Sequence, residues 1–308
     1  ADPAVPTPTP AVDCWRGRDC PAGLLSAPSA APSPPVPELS ARASQLSSFR
    51  CFIMIRLEQV QFRLASRLLL QPLDLEIPQG EVCGLIGHNG SGKSTLIKLL
   101  ARQQSATGGR ILLDGEDLAA YSSREFARRV AYLPQQPAAT DQLTVRELVR
   151  FGRQPWHGLL GRFGEADQQA VERAMALTHT QAYADRLVEF LSGGERQRVW
   201  LAALIAQQTR YLLLDEPTSA LDVAHQVEVL ALIRQLSHEL DLGVVVVLHD
   251  INMAARYCDR LVALRDGALL RQGTPRQLMT AATLEAIYQL PMRVLPHPVT
   301  GEPVSLVL

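Results

Sequence analysis

The sequence has no hydrophobic run of the length that a membrane-spanning helix needs. In 308 residues, no stretch approaches about 18 consecutive apolar residues, so the sequence predicts no transmembrane helix. Its charges nearly cancel as well, with 30 Lys and Arg against 31 Asp and Glu and a formal net charge of -1. A protein that mainly coats nucleic acid carries a strong basic excess, and we therefore expect no nucleic-acid partner.

Cysteine and lysine are also scarce. The five cysteines are scattered and odd in number, which fits neither a disulfide framework nor a zinc site and favours a reducing compartment. Of the 30 basic side chains, only Lys93 and Lys98 are lysines. The hydrophobic content of 47% is that of an ordinary globular domain.

Residues 1–53 differ in composition from the rest of the chain. Ten of the 21 prolines lie between Ala1 and Ser40, among small residues with few large apolar side chains. Such a segment buries too little apolar surface to offset the entropy lost on ordering, so we expect 1–53 to be disordered or non-native. No basic region followed by an apolar core is present, so we expect no secretory signal. Met54 is our hypothesis for the native start.

From residue 54 onward, short apolar runs alternate with helical patterns. Runs rich in Val and Leu that precede helical patterns are typical of strands buried on both faces of a parallel sheet, and they occur at 82–86, 211–214 and 244–248. Helices are predicted at about 93–103, 192–207, 222–240 and 250–258. Asp250 is the predicted N-cap of the last helix. We predict one α/β domain over 54–308, with a helical subdomain at roughly 137–210.

A glycine-rich string lies between the first of these strands and a predicted helix. Residues 87–94 read GHNGSGKS and match G-x-x-x-x-G-K-[ST], in the strand-to-helix context of a phosphate-binding loop. Glycines let backbone N–H groups turn inward around an anion, and the helix dipole adds to the attraction. We predict that Lys93 reaches the β- and γ-phosphates of a nucleotide and that the Ser94 hydroxyl coordinates Mg²⁺. The predicted binding residues are Gly87, His88, Asn89, Gly90, Ser91, Gly92, Lys93, Ser94 and Thr95.

Two adjacent carboxylates follow the apolar run 211–214. Ligands bind at the carboxyl edge of open α/β sheets, where Asp215 suits Mg²⁺, directly or through water. Glu216 is placed to accept a proton from an attacking water or to orient it. Alone, an Asp-Glu pair before Pro217 is typical of a charged strand exit. Together with the phosphate loop, it predicts a hydrolytic site.

The string LSGGERQR at 191–198 combines a helix start with a second anion-binding surface. Ser192 and Glu195 have the spacing of a capping box. Two glycines in the first turn nevertheless weaken the helix, since each costs about 0.8–1 kcal/mol relative to Ala in a helix interior. Exposed N–H groups beside a Ser hydroxyl at a helix N-terminus attract phosphate. Because a helical insert would hold this surface away from the phosphate loop, the sequence favours a head-to-tail dimer.

Taken in order, these strings resemble the motifs of an ABC-type ATPase. The motifs cover essentially all of 54–308 and comprise GHNGSGKST, YLPQQ (132–136), LSGGERQR, LLLDEPTSALD (212–222) and VLHD (247–250). The resemblance implies a P-loop NTPase core with an inserted helical subdomain and two cofactors, ATP and Mg²⁺. It also implies hydrolysis of ATP to ADP and phosphate by a homodimer.

The same resemblance implies a role for each matching residue. Gln135 is the loop glutamine that meets Mg²⁺ and the hydrolytic water, Glu216 is the catalytic carboxylate, and His249 contacts the γ-phosphate. Asp222 belongs to a loop that communicates across the dimer. The residues implied to meet the nucleotide of the partner copy are Ser192, Gly193, Gly194 and Glu195.

One position departs from the family pattern. The aromatic side chain that stacks on adenine is expected after the first strand, where this chain has Leu64 in QFRLASR (61–67). Adenine then rests on an aliphatic side chain, which stacks less well than an aromatic ring. Phe62 is an alternative platform. Strand alternation places it either on the face of Leu64 or in the core, and the sequence leaves both open.

Three further segments, 145–164, 249–267 and 295–308, closely resemble the ATPase subunit of ferric hydroxamate siderophore importers. This resemblance implies a peripheral subunit on the cytoplasmic face of the bacterial inner membrane, docked on separate integral permease subunits and meeting a substrate-binding protein only indirectly. Cobalamin and haem importers share this architecture and stay open as alternatives. A soluble ABC ATPase of DNA repair or translation is a third, although the former has a long coiled-coil insert and the latter two cassettes.

Overall fold

The computed structural model describes residues 54–138, 140, 142–157 and 161–308. The prediction of disorder for 1–53 falls outside the described residues. Within the described ranges, none of the helices has both the length and the apolar character needed to span a membrane.

A four-stranded antiparallel sheet begins the described chain. In the order β2-β1-β4-β5, its strands are β1 (Met54–Leu64), β2 (Arg67–Pro78), β4 (Gly108–Leu113) and β5 (Glu116–Asp117). Its pairings are antiparallel, and the buried side chains of β1 include Ile55, Leu57 and Val60. These side chains share one hydrophobic cluster with the helix that follows the phosphate loop.

A six-stranded sheet forms the centre of the fold. In the order β10-β9-β3-β8-β7-β6, its strands are β3 (Val82–Ile86), β6 (Val130–Leu133), β7 (Tyr211–Leu214), β8 (Gly243–Val247), β9 (Arg260–Arg265) and β10 (Ala268–Gly273). Only the β9–β10 pairing in this sheet is antiparallel; the other described pairings are parallel. β3, β7 and β8 are buried along their whole length, as strands covered on both faces are. The predicted α/β fold with a parallel sheet is confirmed.

The four helices predicted from the sequence are present among the described α-helices. These are α1 (Lys93–Leu100), α2 (Ser123–Ala127), α3 (Val145–Phe151), α4 (Glu165–Leu177), α5 (Gly193–Ala206), α6 (Val223–Leu240), α7 (Ile251–Tyr257), α8 (Pro275–Leu278) and α9 (Ala281–Tyr288). α1 ends before the predicted boundary at 103, because Arg102 has a left-handed φ of 54°. Asp250 is the N-cap of α7 as predicted, since its side chain accepts hydrogen bonds from the N–H groups of Asn252 and Met253.

The described chain between β6 and β7 is helical. α3 and α4 pack against α5, and short 3-10 turns lie at 154–156, 181–183 and 188–190. A single isolated bridge between Thr144 and Leu187 is the one extended pairing described in this region. The absence of strands from the described part of 140–190 agrees with the helical pattern of the sequence. The division of the chain into domains stays a prediction.

A two-stranded hairpin closes the chain and packs on α7. Its strands are β11 (Met292–Pro296) and β12 (Pro303–Val307). The Asn252 Oδ1 atom accepts hydrogen bonds from the Ser305 N–H at 2.8 Å and from the Ser305 hydroxyl at 3.0 Å. The Asn252 Nδ2 group donates to the Ser305 carbonyl at 3.1 Å. These hydrogen bonds hold the hairpin against α7, the helix that begins just after His249.

A buried ion pair joins the helices between β6 and β7. The Arg153 Nε lies 2.9 Å from the Asp167 Oδ1, and their side chains are only 6% and 12% exposed. A second Arg153 nitrogen donates to the Ala206 carbonyl at 2.8 Å. Burial alone raises the pKa of Asp167, but hydrogen bonds from the Gly164 N–H and from Arg153 outweigh burial and leave this pKa below its usual value.

Replacing Asp167 is therefore expected to destabilise the fold. Asp167→Ala leaves the Arg153 guanidinium buried without its carboxylate, and we expect the free energy of unfolding in denaturant to fall by about 3–5 kcal/mol. Because the pKa of Asp167 is lower in the folded state, its contribution is present at neutral pH and is lost as the pH falls through that pKa. The exposed Arg276–Glu302 pair is the control, since Glu302→Ala should cost less than about 1 kcal/mol. Equal losses for the two variants would contradict the assignment.

Candidate functional site

The phosphate loop (87–94) connects β3 to α1 with a backbone that only glycine adopts easily. Gly87, Gly90 and Gly92 have φ values of 144°, 80° and 104°, in the region that L-residues avoid. Gly87 is also crowded, because a Cβ atom there would lie 2.2 Å from the Leu264 carbonyl oxygen. The loop therefore requires glycine for backbone conformation and, at Gly87, for space.

Gly87→Ala is expected to destabilise the protein and to distort the phosphate loop. The left-handed conformation alone costs about 1–2 kcal/mol for a residue with a Cβ atom, and the contact with the Leu264 backbone adds to it. Thermal unfolding of Gly87→Ala should be compared with that of Gly115→Ala. Gly115 also has a positive φ, of 85°, but has nothing within 4 Å of the added Cβ. A loss no larger than that of Gly115→Ala would contradict the crowding at Gly87.

Lys93 is folded back onto the phosphate loop. Its Nζ donates to the Gly87 carbonyl at 2.8 Å and to the His88 carbonyl at 3.0 Å, and the residue is 5% exposed. Burial lowers the pKa of Lys93, while the nearby charges of Glu216 and Asp215 act in the opposite direction. An ammonium held in this way is positioned for a phosphate anion that enters the loop.

A cavity of about 260 Å³ brings the phosphate loop together with residues far away in the sequence. It is lined by Arg67, Leu69, Asn89, Gly90, Gly92, Lys93, Ser94, Thr95, Glu216 and His249. Of the other predicted loop residues, Ser91 is fully buried, and the His88 Nδ1 atom lies 2.8 Å from the Asn89 carbonyl oxygen. The cavity is therefore lined by six of the nine predicted phosphate-binding residues and by two of the three predicted catalytic residues, Glu216 and His249.

Ser94 and Asp215 bring two oxygen atoms together beside this cavity. The Ser94 hydroxyl donates to the Asp215 Oδ1 at 3.4 Å, and Asp215 is 2% exposed. Burial raises the pKa of Asp215, and the charge of Glu216 raises it further. A cation next to this carboxylate would offset both effects.

These donors fit Mg²⁺ as it is usually bound. In the described part of the chain, no group of three or more His, Cys, Asp and Glu side chains is arranged to hold a metal ion. Mg²⁺ is commonly held by one or two protein oxygens, with water and substrate phosphates completing its shell. Ser94 and Asp215 can supply such oxygens, with water and the phosphates of a nucleotide as the remaining ligands.

Glu216 is held by the two other predicted catalytic residues. The Gln135 Nε2 donates to the Glu216 Oε2 at 2.7 Å, and the His249 Nε2 lies 2.6 Å from the Glu216 Oε1. Glu216 also has a left-handed φ of 53°, which costs about 1–3 kcal/mol in a residue with a side chain. The fold therefore brings Gln135, Glu216 and His249 to one point at the end of β7 and fixes the direction of the carboxylate.

The predicted second anion-binding surface is a capped glycine turn. This turn, defined by Ser192, Gly193, Gly194 and Glu195, opens α5. The Ser192 side chain accepts from the Glu195 N–H at 3.3 Å and the Glu195 carboxylate accepts from the Ser192 N–H at 2.8 Å, so the predicted capping box is confirmed. Ser192 and Gly193 are exposed, whereas Gly194 is buried.

The glycine turn does not reach the cavity of the phosphate loop. None of its four residues lines that cavity. Gly193 instead lines a neighbouring cavity of about 290 Å³, together with Gln135 and Glu216. The two predicted anion-binding surfaces therefore line different cavities within one copy of the chain, and Glu216 lines both of these cavities.

The remaining predicted residues lie outside the phosphate cavity. Asp222 is the N-cap of α6 and is exposed. Leu64 is 61% exposed and Phe62 is 8% exposed, and Phe62 belongs to the hydrophobic core. Of the two orientations that the sequence left open for Phe62, the structure has the one in the core.

Arg67 and Leu69 were missed by the sequence analysis. Both lie at the start of β2 and line the phosphate cavity, because the β1–β2 hairpin folds over the phosphate loop. The Leu69 carbonyl would lie 3.3 Å from a Cβ atom on Gly92. Neither residue stands in a motif, so no local sequence pattern pointed to them. Their place in the cavity follows from the position of the hairpin relative to β3.

Comparison with known proteins identifies the family. The family model described as ABC transporter matches residues 70–219. The achromobactin transport ATP-binding protein CbrD of Dickeya dadantii is 42% identical, over 79% of this chain and 90% of its own length. The chain belongs to the ABC transporter ATPase family. As a member of this family, it is an ATPase that binds ATP, which confirms the predicted family and enzyme class.

Two other relatives of this ABC ATPase are named for different transported compounds. The iron(3+)-hydroxamate import ATP-binding protein FhuC of Bacillus subtilis is 39% identical, over 81% of this chain and 93% of its own. The hemin import ATP-binding protein HmuV of Streptomyces coelicolor is 40% identical, over 89% of this chain and 94% of its own. The cargo therefore differs among relatives of nearly equal similarity.

Solved structures of ABC proteins share the fold of this ABC ATPase. The inward-facing conformation of a transporter assigned to the metal-chelate ABC type superposes with a TM-score of 0.73, at 26% identity, over 83% of this chain and 98% of that one. A dimeric bacterial ABC transporter cassette superposes with a TM-score of 0.62, at 28% identity, over 72% of this chain and 99% of that one.

Proposed function

We propose that two copies of this ABC ATPase bind two ATP·Mg²⁺ between them and use their hydrolysis to drive import of an iron-siderophore complex through separate permease subunits. The observation that carries the ATPase part is the placement of Glu216. Its carboxylate forms part of the wall of the phosphate cavity and is held on both oxygens by Gln135 and His249.

The proposed catalytic steps follow from these contacts. Lys93 binds the β- and γ-phosphates in place of the loop carbonyls that it contacts now. Ser94, Asp215 and Gln135 are the residues that would hold Mg²⁺, and the ion would supply positive charge to the phosphates. Glu216 orients the attacking water and accepts its proton. Gln135 and His249 each contact one oxygen of the Glu216 carboxylate, and each oxygen has a further lone pair that can accept from that water. His249 is proposed to contact the γ-phosphate.

The dimer is proposed because the glycine turn lies outside the phosphate cavity. Its exposed start, at Ser192 and Gly193, offers N–H groups and a helix dipole to an anion. That anion is the γ-phosphate of the nucleotide held by Lys93 of the other copy, with Gly194 and Glu195 shaping the turn. Asp222 is proposed to face the same interface.

The siderophore cargo is proposed from similarity rather than from the site. Several relatives are import or transport subunits named for achromobactin and for iron(3+)-hydroxamate. The hemin relative, at 40% identity over a larger part of the chain, supports haem as a second candidate cargo, and a cobalamin import relative at 42% identity supports a third. The cargo does not enter the ATPase, so no residue of this chain selects it directly.

The partners follow from the same proposal. A subunit of this kind docks on integral permease subunits at the cytoplasmic face of the bacterial inner membrane, and it meets a substrate-binding protein only through them. Two exposed aromatic side chains of the helical region, Phe151 at 51% and Phe190 at 75% exposure, support a protein-docking role for that region.

Uptake in cells tests the proposed function. Cells that lack this protein receive either the wild type or Glu216→Gln, and uptake of radiolabelled iron as a ferric hydroxamate is compared with uptake of haem and of cobalamin. We expect the wild type alone to restore hydroxamate uptake. If haem or cobalamin uptake were restored instead, the proposed siderophore cargo would be wrong and the proposed ATPase role would be retained. Equal restoration of uptake by Glu216→Gln would contradict the ATPase role itself.

A further inference from the structure

His225 connects two parts of the site that the sequence motifs treat as separate. It lies in the first turn of α6, three residues after Asp222. Its ring Nδ1 is 2.8 Å from the Asp222 Oδ1, and its backbone N–H donates to the same oxygen at 2.9 Å. The ring contact is additional to the helix cap, which the backbone N–H already provides.

The chemistry of the pair fixes the direction of the ring hydrogen bond. The hydrogen bonds from the His225 backbone and ring lower the pKa of Asp222, so its carboxylate is ionised near neutral pH and can only accept. The Nδ1 atom of His225 therefore carries a proton and donates. This sets the orientation of the imidazole ring.

The same ring covers Gly194 of the glycine turn. A Cβ atom on Gly194 would lie 2.3 Å from His225 Cδ2, 2.8 Å from Cγ and 3.2 Å from Cβ. The two shortest of these contacts are with ring atoms, so the imidazole ring is what leaves no room for a side chain on Gly194. Gly194 is buried in a single copy of the chain, although it lies in a turn whose first residues are exposed.

We propose that His225 is a positioning residue that locks Asp222 and the glycine turn of one copy into a single rigid surface for the nucleotide of the other copy. This inference rests on the proposed function, in which the nucleotide bound by one copy also meets the glycine turn of the other. Asp222 and the turn are 27 positions apart at their nearest members, Asp222 and Glu195, and the ring lies against both Asp222 and Gly194. A turn held in advance loses less conformational entropy when the partner's phosphate arrives.

The ATP-dependent monomer–dimer equilibrium tests this inference. It is measured by analytical ultracentrifugation in the Glu216→Gln background, with and without His225→Ala, while the affinity of each chain for ADP is measured by calorimetry. We expect His225→Ala to weaken ATP-dependent dimerisation about tenfold or more, a typical coupling for residues in contact. The affinity for ADP should not change, because the phosphate loop is untouched.

The control is His238→Ala, on the same helix. His238 also pairs with an aspartate, at 3.0 Å from Asp259 Oδ2, and it is absent from both cavities of the site. Dimerisation that His225→Ala leaves unchanged, or weakens no more than His238→Ala does, would overturn the inference. So would a parallel loss of ADP affinity, which would indicate a general defect of folding. A Glu216→Gln chain that stays monomeric with ATP would overturn the proposed function and this inference with it.

A double-mutant cycle tests the packing itself. Gly194→Ala is expected to lower the melting temperature in the presence of His225, because the added methyl group meets the ring. In the His225→Ala background, the same substitution should have a smaller effect, since the ring is gone. Additive effects of the two substitutions would overturn the contact on which the proposal depends.

Discussion

Glu216→Gln is expected to bind ATP normally and to hydrolyse it at least about 100-fold more slowly, the usual loss for a positioned acid–base group. The amide keeps the size of the carboxylate but cannot accept a proton from water. It also removes a negative charge from the neighbourhood of the γ-phosphate, which favours retention of ATP. Steady-state phosphate release and equilibrium ATP binding together measure the two effects.

The same variant should accumulate as an ATP-bound dimer. In the proposed dimer, the γ-phosphate joins the phosphate loop of one copy to the glycine turn of the other. Hydrolysis would remove this phosphate, so we expect a chain that hydrolyses ATP slowly to stay dimeric. Light scattering at saturating ATP should therefore report a dimer.

Glu285→Gln is a suitable control for the hydrolysis rate, because Glu285 is exposed on α9. A Glu216→Gln chain that turns over like this control would rule out Glu216 as the catalytic carboxylate.

Lys93→Ala is expected to abolish measurable nucleotide binding. The ammonium is buried, donates to two carbonyls of the phosphate loop, and is the side chain in the phosphate cavity best placed to neutralise the β- and γ-phosphates. Removing it leaves the Asp215 and Glu216 carboxylates to repel the nucleotide. The measurement is the equilibrium affinity for ATP.

The chain offers its own control for that experiment. Lys98 is the only other lysine and lies on the same helix, α1, but not in the phosphate cavity. Lys98→Ala should therefore retain ATP binding. Lys93→Arg keeps the charge, yet a planar guanidinium does not replace a compact ammonium between phosphate oxygens, so binding should fall here too. Unchanged affinity in Lys93→Ala would refute the role assigned to it.

The features predicted well from the sequence are those specified by neighbouring residues. The valine and leucine runs that became β3, β7 and β8 are continuous, and continuous apolar runs identify strands buried on both faces. The caps at Ser192 and Asp250 act within three residues of their own position. The phosphate loop is likewise complete in a single string, so its geometry could be predicted without knowing the rest of the fold.

The contacts that complete the site join distant residues and could not be predicted in this way. Gln135 meets Glu216 across 81 positions of sequence, and the His225 ring covers Gly194 because α6 runs beside the start of α5. The hairpin β11–β12 and its contact with Asn252 follow no motif. The orientation of Phe62 was similarly open, because β1 contains register shifts between Leu57 and Leu64 that break simple alternation.

The central claim is that one ATP is shared between two copies of the chain, and mixing two defective chains tests it most directly. Lys93→Ala lacks a working phosphate loop. Gly193→Asp keeps its loop and places an acid in the first turn of α5, where it suits the helix dipole but repels the partner's γ-phosphate. Each variant alone should fail to hydrolyse ATP.

Single-turnover phosphate release from an equal mixture of the two chains is the decisive measurement. A mixed dimer contains one intact site, formed by the phosphate loop of the Gly193→Asp chain and the glycine turn of the Lys93→Ala chain. The account predicts that the mixture regains hydrolysis that neither chain shows alone. A mixture as inactive as its components would contradict a shared site, and full activity of Gly193→Asp by itself would show that the glycine turn does not meet the nucleotide.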